Sequence, residues 1–190
     1  MSYLFFDVET TDLPNDSLPL DHPKQAHICQ IAALLTNDKF EELASLCLLI
    51  KPRGWNIQAK AEERHGIPQS KCEKFGVEID AAIKLFDRLF DLSQCQIAYS
   101  AEFDKKLITI ERAVSKSPIM KDWNLKCPMK PLTPICKLPN KWNNGYKWPT
   151  LSQAFEFCFK KSMLNNHDAM GDVLALREIY KWCVNNHIQI

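Results

Sequence analysis

The chain has 190 residues, is 46% hydrophobic and 25% charged, and carries a formal net charge of +1. That is enough apolar material for one domain with a real core, so disorder is not the expectation. No stretch approaches the ~20 apolar residues that span a bilayer, and no basic region followed by a long apolar segment opens the chain, so no signal peptide is expected.

The eight cysteines form no C-x-x-C pair and most sit inside apolar patterns, so they read as reduced core thiols of a cytoplasmic protein. The even net charge hides an asymmetry. Residues 1–50 hold eight acids against Lys24 and Lys39, whereas residues 115–150 hold seven lysines against Asp122 alone. An acidic pocket beside a basic approach surface suits a site that collects cations and handles a polyanion.

The first predicted strand is Tyr3-Leu4-Phe5-Phe6-Asp7-Val8-Glu9. Side chains alternate along a strand, so Tyr3, Phe5, Asp7 and Glu9 share one face and Leu4, Phe6 and Val8 the other. Two carboxylates then lie side by side on a core strand. At ~4 Å and an effective dielectric of ~20 they repel by roughly 4 kcal/mol, on top of the water each loses. A bound cation offsets both terms. The plain alternative ends the strand at Phe6 and lets the acids face water.

Strands are predicted at His27–Leu35 and Glu42–Lys51, around a turn near Asn37-Asp38, as a hairpin or meander with the first. Asn56–Arg64 reads as a short helix ending at Gly66. Glu78–Leu92 is amphipathic, with Ile79, Ala82, Ile83, Phe86, Leu89 and Phe90 on one face. A strand at Gln96–Ser100 runs into a helix from Ala101 to Ser115, which places Asp104 in its first turn. An acid there is also well placed simply to favour a helix amino terminus.

Residues 117–149 hold six of the eleven prolines and three of the five tryptophans, Trp123, Trp142 and Trp148. We expect an irregular segment whose aromatics and lysines form either a single-stranded nucleic-acid platform or a packed cover. Thr150-Leu151-Ser152-Gln153 is a capping box opening a helix to Lys160. The last helix, from His167 or Asp168 to Val184, carries Ala169, Asp172, Leu176, Tyr180 and Cys183 or Val184 on its core face. An acid on a buried stripe needs a basic partner or a metal.

Asp7-x-Glu9, then Asp104, then His167-Asp168-Ala169-Met170-Gly171-Asp172 resemble, in order and spacing, the DEDDh (DnaQ-like) 3′–5′ exonucleases, the group that includes proofreading subunits of replicative polymerases. Lys51-Pro52, His65-Gly66-Ile67 and Lys147-Trp148-Pro149-Thr150-Leu151 extend the resemblance over nearly the whole chain. It implies a single exonuclease domain over 1–190 with an RNase H-like α/β fold, a central mixed β-sheet flanked by helices. It implies two divalent cations, Mg²⁺ or Mn²⁺, held by Asp7, Glu9, Asp104 and Asp172, an oxygen set suited to such hard ions. In that scheme Asp7 bridges both ions, Glu9 and Asp172 complete the nucleophile-side position, Asp104 serves the second, and His167 is the general base. Thr10, Leu13 and His65 would surround the terminal nucleotide, although Leu13 and His65 also read as packing residues.

The implied substrate is a nucleic acid 3′ end, single-stranded DNA ahead of RNA, cut to 5′-mononucleotides by a stand-alone nuclease. Nothing in the sequence supports a polymerase partner. Asp12 replaces the family's usual glycine and Ser100 its usual asparagine, both near the expected nucleotide position. A non-catalytic module of the same fold and a structural α/β protein with a stabilising cation are the alternatives. No acid is lost, which counts against the first, and the lysine excess counts against the second.

Overall fold

The computed structural model describes residues 1–141, 145–163 and 168–190. Its centre is strand β1 (Tyr3–Thr10), paired antiparallel with β2 (Ile28–Thr36), which pairs antiparallel with β3 (Glu42–Leu49). Two short helices, α1 (Ala59–His65) and α2 (Gln69–Phe75), and the long α3 (Ile79–Leu92) follow. The chain then returns as β4 (Cys95–Ile97), parallel to β1, and enters α4 (Ala101–Val114). After β5 (Leu125–Lys126), parallel to β4, come α5 (Met129–Cys136), α6 (Leu151–Phe159) and α7 (Ala169–Asn185). The sheet order is β3-β2-β1-β4-β5, a mixed sheet flanked by helices, as expected of an RNase H-like α/β fold.

Because β1 and β2 are interior strands, both their faces are covered, which is why they read as nearly continuous apolar runs. Leu4, Phe6, Val8, Ile31 and Ala33 pack with Ile83 and Phe86 of α3 and Leu107 and Ile110 of α4. Phe5, Ala32 and Leu34 face the other way, onto Val173, Leu176, Ile179 and Tyr180 of α7. Phe6 meets Phe86 edge-on at 5.4 Å and 71°. The pleat therefore sends Asp7 and Glu9 to the α7 side, in line with Phe5.

Several boundaries differ from the sequence expectation. β4 stops at Ile97, and residues 98–100 lead into α4. The first short helix runs from Ala59 to His65, closed by Gly66 in the left-handed region at φ 67°. α2, after Ile67-Pro68, was not expected, since its seven residues bury only Cys72 and carry no strong periodicity. The segment expected to be irregular contains β5 and α5. Pro131 falls in the first turn of α5, where no N–H is needed, and Pro134 removes a helical hydrogen bond. α5 is held from outside instead, by Leu132, which is fully buried in the α6–α7 core. The Thr150–Gln153 capping box is present in both directions. On α7 the buried residue near the end is Cys183, and Val184 faces solvent.

Candidate metal centre and substrate groove

The site lies where β1 outruns its parallel neighbour. β4 ends opposite Phe5, so the second half of β1 has no strand on that side. The amino-terminal turn of α4 occupies the space, and the Asp104 carboxylate accepts a hydrogen bond from the Val8 backbone N–H. On the other side of β1 the register with β2 shifts between Glu9 and Thr10, where Glu9 faces Gln30 and Thr10 faces Ile28. Such irregularities re-aim side chains beside active sites.

α7 supplies the last acid. Its cap residue Asp168 accepts from the Gly171 N–H at 3.3 Å, and Asp172 follows within the first turn. Asp7, Glu9 and Asp172 bring carboxylate oxygens within 4.8 Å of one another, the one such cluster among the described residues. Asp104 lines the same groove and is only 2% exposed, and its Oδ2 is buried without a hydrogen-bond partner.

The electrostatics follow from this crowding. Burial raises the Asp7 carboxyl well above the ordinary carboxylate range, and Asp104, Asp172 and Glu9 push it further. Burial, then Asp172, pushes Glu9 up to about 8. Burial likewise pushes Asp104 up to about 7, against the hydrogen bond from Val8. Arg64 opposes the rise at both Asp7 and Glu9. Acids this close and this poorly compensated suit a divalent cation by their own chemistry: an all-oxygen donor set, a buried unpartnered carboxylate oxygen on Asp104, and mutual repulsion that such an ion would relieve. The residues present fit a divalent cation.

The expected nucleotide contacts divide. Thr10 Oγ1 donates to the Asp12 carbonyl at 2.9 Å, while Asp12 Oδ1 accepts from the Leu13 N–H at 2.7 Å. Asp12 has no positive φ, so this turn does not require the glycine usual in the family. Leu13 is 71% exposed at the groove wall and is no core residue. His65 is buried. Its Nδ1 accepts from the Ile67 N–H at 3.0 Å, which assigns the proton to Nε2, facing the Thr10 carbonyl at 3.3 Å. It therefore fastens α1 to the end of β1 while lining the groove. His167 lies outside the described residues, as does Trp142.

The groove, about 870 Å³, also contains residues that the sequence did not single out. Lys60 and Arg64 stand one turn apart on α1 and form one wall. Their i, i+4 spacing beside His65-Gly66 was the available signal. None of the seven lysines of 115–150 lines the groove. Phe103, Trp148 and Pro149 line it as well. Trp148 is 63% exposed, and the loop bearing it is stapled by the Tyr99 hydroxyl, which donates to the Pro149 carbonyl at 2.9 Å. Trp123 is different: it packs against Phe6, Phe86 and Phe90 in the core.

A family model for exonucleases of the RNase T type matches residues 4–180. No curated protein sequence matches the chain. Solved structures share the fold. E. coli exonuclease I in complex with a dT13 oligonucleotide superposes with a TM-score of 0.74 at 20% identity, over 96% of this chain and 40% of that one. The zinc-bound E. coli exonuclease I–ssDNA complex gives 0.73 at 22% identity, over 97% and 40%. The nuclease domain of 3′hExo, a DEDDh family member bound to rAMP, gives 0.71 at 14% identity, over 100% and 94%. The chain thus spans about two fifths of exonuclease I and nearly the whole 3′hExo nuclease domain. With residues 4–180 matched and the acids in their DEDD order on the expected elements, the chain belongs to the DEDDh exonuclease family.

Proposed function

We propose that this chain is a divalent-cation-dependent 3′–5′ exonuclease that trims single-stranded DNA to 5′-mononucleotides. The observation that carries the reading is the convergence of Asp7, Glu9 and Asp172 within 4.8 Å, with buried Asp104 in the same groove. These four acids would hold two cations, Mg²⁺ or Mn²⁺, with Asp7 common to both, Glu9 and Asp172 on the nucleophile side, and Asp104 on the other. When bound, such ions lower the pKa of an attacking water and stabilise the oxygen that departs from phosphorus.

The chain's own groups do the rest. His167, five residues before Asp172 in sequence, takes the proton from the attacking water, which an imidazole with a pKa near ~6.5 does well at neutral pH. Lys60 and Arg64 hold phosphates on the α1 wall. Trp148 and Phe103 stack bases, and Leu13 packs on the terminal nucleotide beside Thr10 and His65. The hydrolysed bond is the last P–O3′ linkage: water oxygen joins phosphorus, and the shortened strand leaves with a 3′ hydroxyl. Eight cysteines with no disulfide among them favour a reducing, cytoplasmic setting.

RNA is the second reading, favoured by the rAMP bound to the 3′hExo nuclease domain, which shares the fold. A time course on matched DNA and RNA oligonucleotides, blocked at either end, in Mn²⁺ or in chelator, tests both. Loss of mononucleotides from the open 3′ end of DNA, only with metal, is the expected result. Faster loss from RNA establishes the second reading, and no metal-dependent release from either overturns the function.

A further inference from the structure

Gln30, on β2, does something that neither the acids nor the groove wall accounts for. It is the register partner of Glu9 and is 5% exposed. Its side-chain amide reaches the start of α7. Oε1 accepts from the Ala169 N–H at 3.1 Å, and Nε2 donates to Asp168 Oδ1 at 3.2 Å. The other Asp168 oxygen accepts from Gly171 N–H, and the Asp168 carbonyl accepts from Asp172 N–H at 2.9 Å.

The first N–H groups of a helix have no partner within it. At α7, two of them, Ala169 and Gly171, are satisfied through Gln30 and Asp168 respectively. The Gln30 contact comes from the strand residue facing Glu9. A primary amide offers an acceptor and a donor in fixed relative orientation, and Ala169 N–H and the Asp168 carboxylate present the complementary pair. The same turn must be held in place against electrostatic resistance, because Asp172 is pressed toward two like charges.

We propose that Gln30 is a positioning residue: it clamps the first turn of α7 to the β1–β2 pair, so that Asp172 meets Asp7 and Glu9 and the cation site is already formed before an ion arrives. The assignment rests on reading the acid cluster as the exonuclease's metal centre. Partners that orient ligand-bearing groups typically change metal affinity or activity by about 10–100-fold when removed.

The test uses the full chain with Gln30→Met, which removes both contacts at similar volume, and Gln30→Glu, which keeps an acceptor for Ala169 but sets a carboxylate against Asp168. Circular dichroism establishes folding, and if the Met variant does not fold, the Glu variant carries the test. Calorimetric Mn²⁺ binding is expected to weaken by about 10–100-fold in both, and kcat on a 3′-labelled strand to fall with KM unchanged. In chelator, the Ala169 amide of Gln30→Met should exchange with deuterium faster than in wild type. Unchanged Mn²⁺ affinity and kcat, or unchanged Ala169 exchange, overturns the assignment. A wild type that binds no Mn²⁺ overturns the exonuclease reading and this assignment with it, and the exchange result, which needs no metal, shows whether the clamp itself exists.

Discussion

The floor of the groove and its rim are built on different terms. The floor consists of acids on β1, α4 and α7, elements whose opposite sides are locked into two cores. The rim comes from loops and short helices, where neighbouring residues of one composition meet different fates. Trp123 and Trp148 belong to the same proline- and lysine-rich stretch. One fills the space between Phe6 and Phe90, and the other, 63% exposed, lines the groove that contains the acids. Floor residues are fixed by the period of their element, while rim residues are fixed by what lies next to them in space. Chemistry should therefore fail abruptly when the floor changes, and substrate binding should shift gradually when the rim does.

The largest expected effect is at the floor. Asp7→Ala should lower hydrolysis of a 3′-labelled strand in Mg²⁺ by about a thousandfold or more, since cations in such sites stabilise several kcal/mol of developing charge and each ~1.4 kcal/mol is a factor of ten. Its circular dichroism should match wild type. Retained turnover in a clean preparation would remove Asp7 from the mechanism. At the next scale, the two tryptophans should separate. Trp123→Ala should cost about 3–5 kcal/mol of stability with KM unchanged in the folded fraction. Trp148→Ala should raise KM about tenfold, the worth of one stacked base at ~1–3 kcal/mol, with the melting temperature unmoved. Equal effects of the two on KM would erase the distinction between core and rim.

The smallest effect is electrostatic and appears without metal. Asp104 and Glu9 are raised in the fold from ordinary values of 3.8 and 4.5 to about 7 and about 8, chiefly by burial. The metal-free fold thus holds their protons more tightly than the unfolded chain does. Their contribution to stability is complete below about pH 4 and is lost as pH rises through 7 to 8. In chelator the melting temperature should fall between about pH 4 and pH 8, and Mn²⁺ should flatten the fall. Asp7→Asn should melt higher than wild type at pH 8, by about 2–4 °C for each kcal/mol of repulsion relieved, and approach it only below about pH 4, where Asp7 is protonated in the unfolded chain as well. A lower melting point for the variant at pH 8 would make Asp7 a structural acid.

The sequence made the floor legible because strand alternation and helix spacing act over a few residues. Tyr3 to Glu9 predict which face carries the acids, and Ala169 to Leu176 predict which side of α7 carries Asp172. The meander, the amphipathic α3 and the capping box of α6 follow from equally local signals. What stayed hidden depends on distant partners. α5 forms despite Pro134 because Leu132 finds a core. Asp104 finds its place because β4 stops short of β1. Gln30 grips Asp168 across 138 positions of chain, and no period in the sequence encodes that. The lysine excess of 115–150 pointed to a basic groove, but the cations lining it come from α1.

One measurement addresses the central claim directly: diffraction at the manganese absorption edge from a crystal soaked in Mn²⁺. The account predicts two anomalous peaks about 3.5–4 Å apart, with Asp7 between them, Glu9 and Asp172 at one and Asp104 beside the other. No peak among these carboxylates, or ions bound elsewhere with the acids apart, would contradict it.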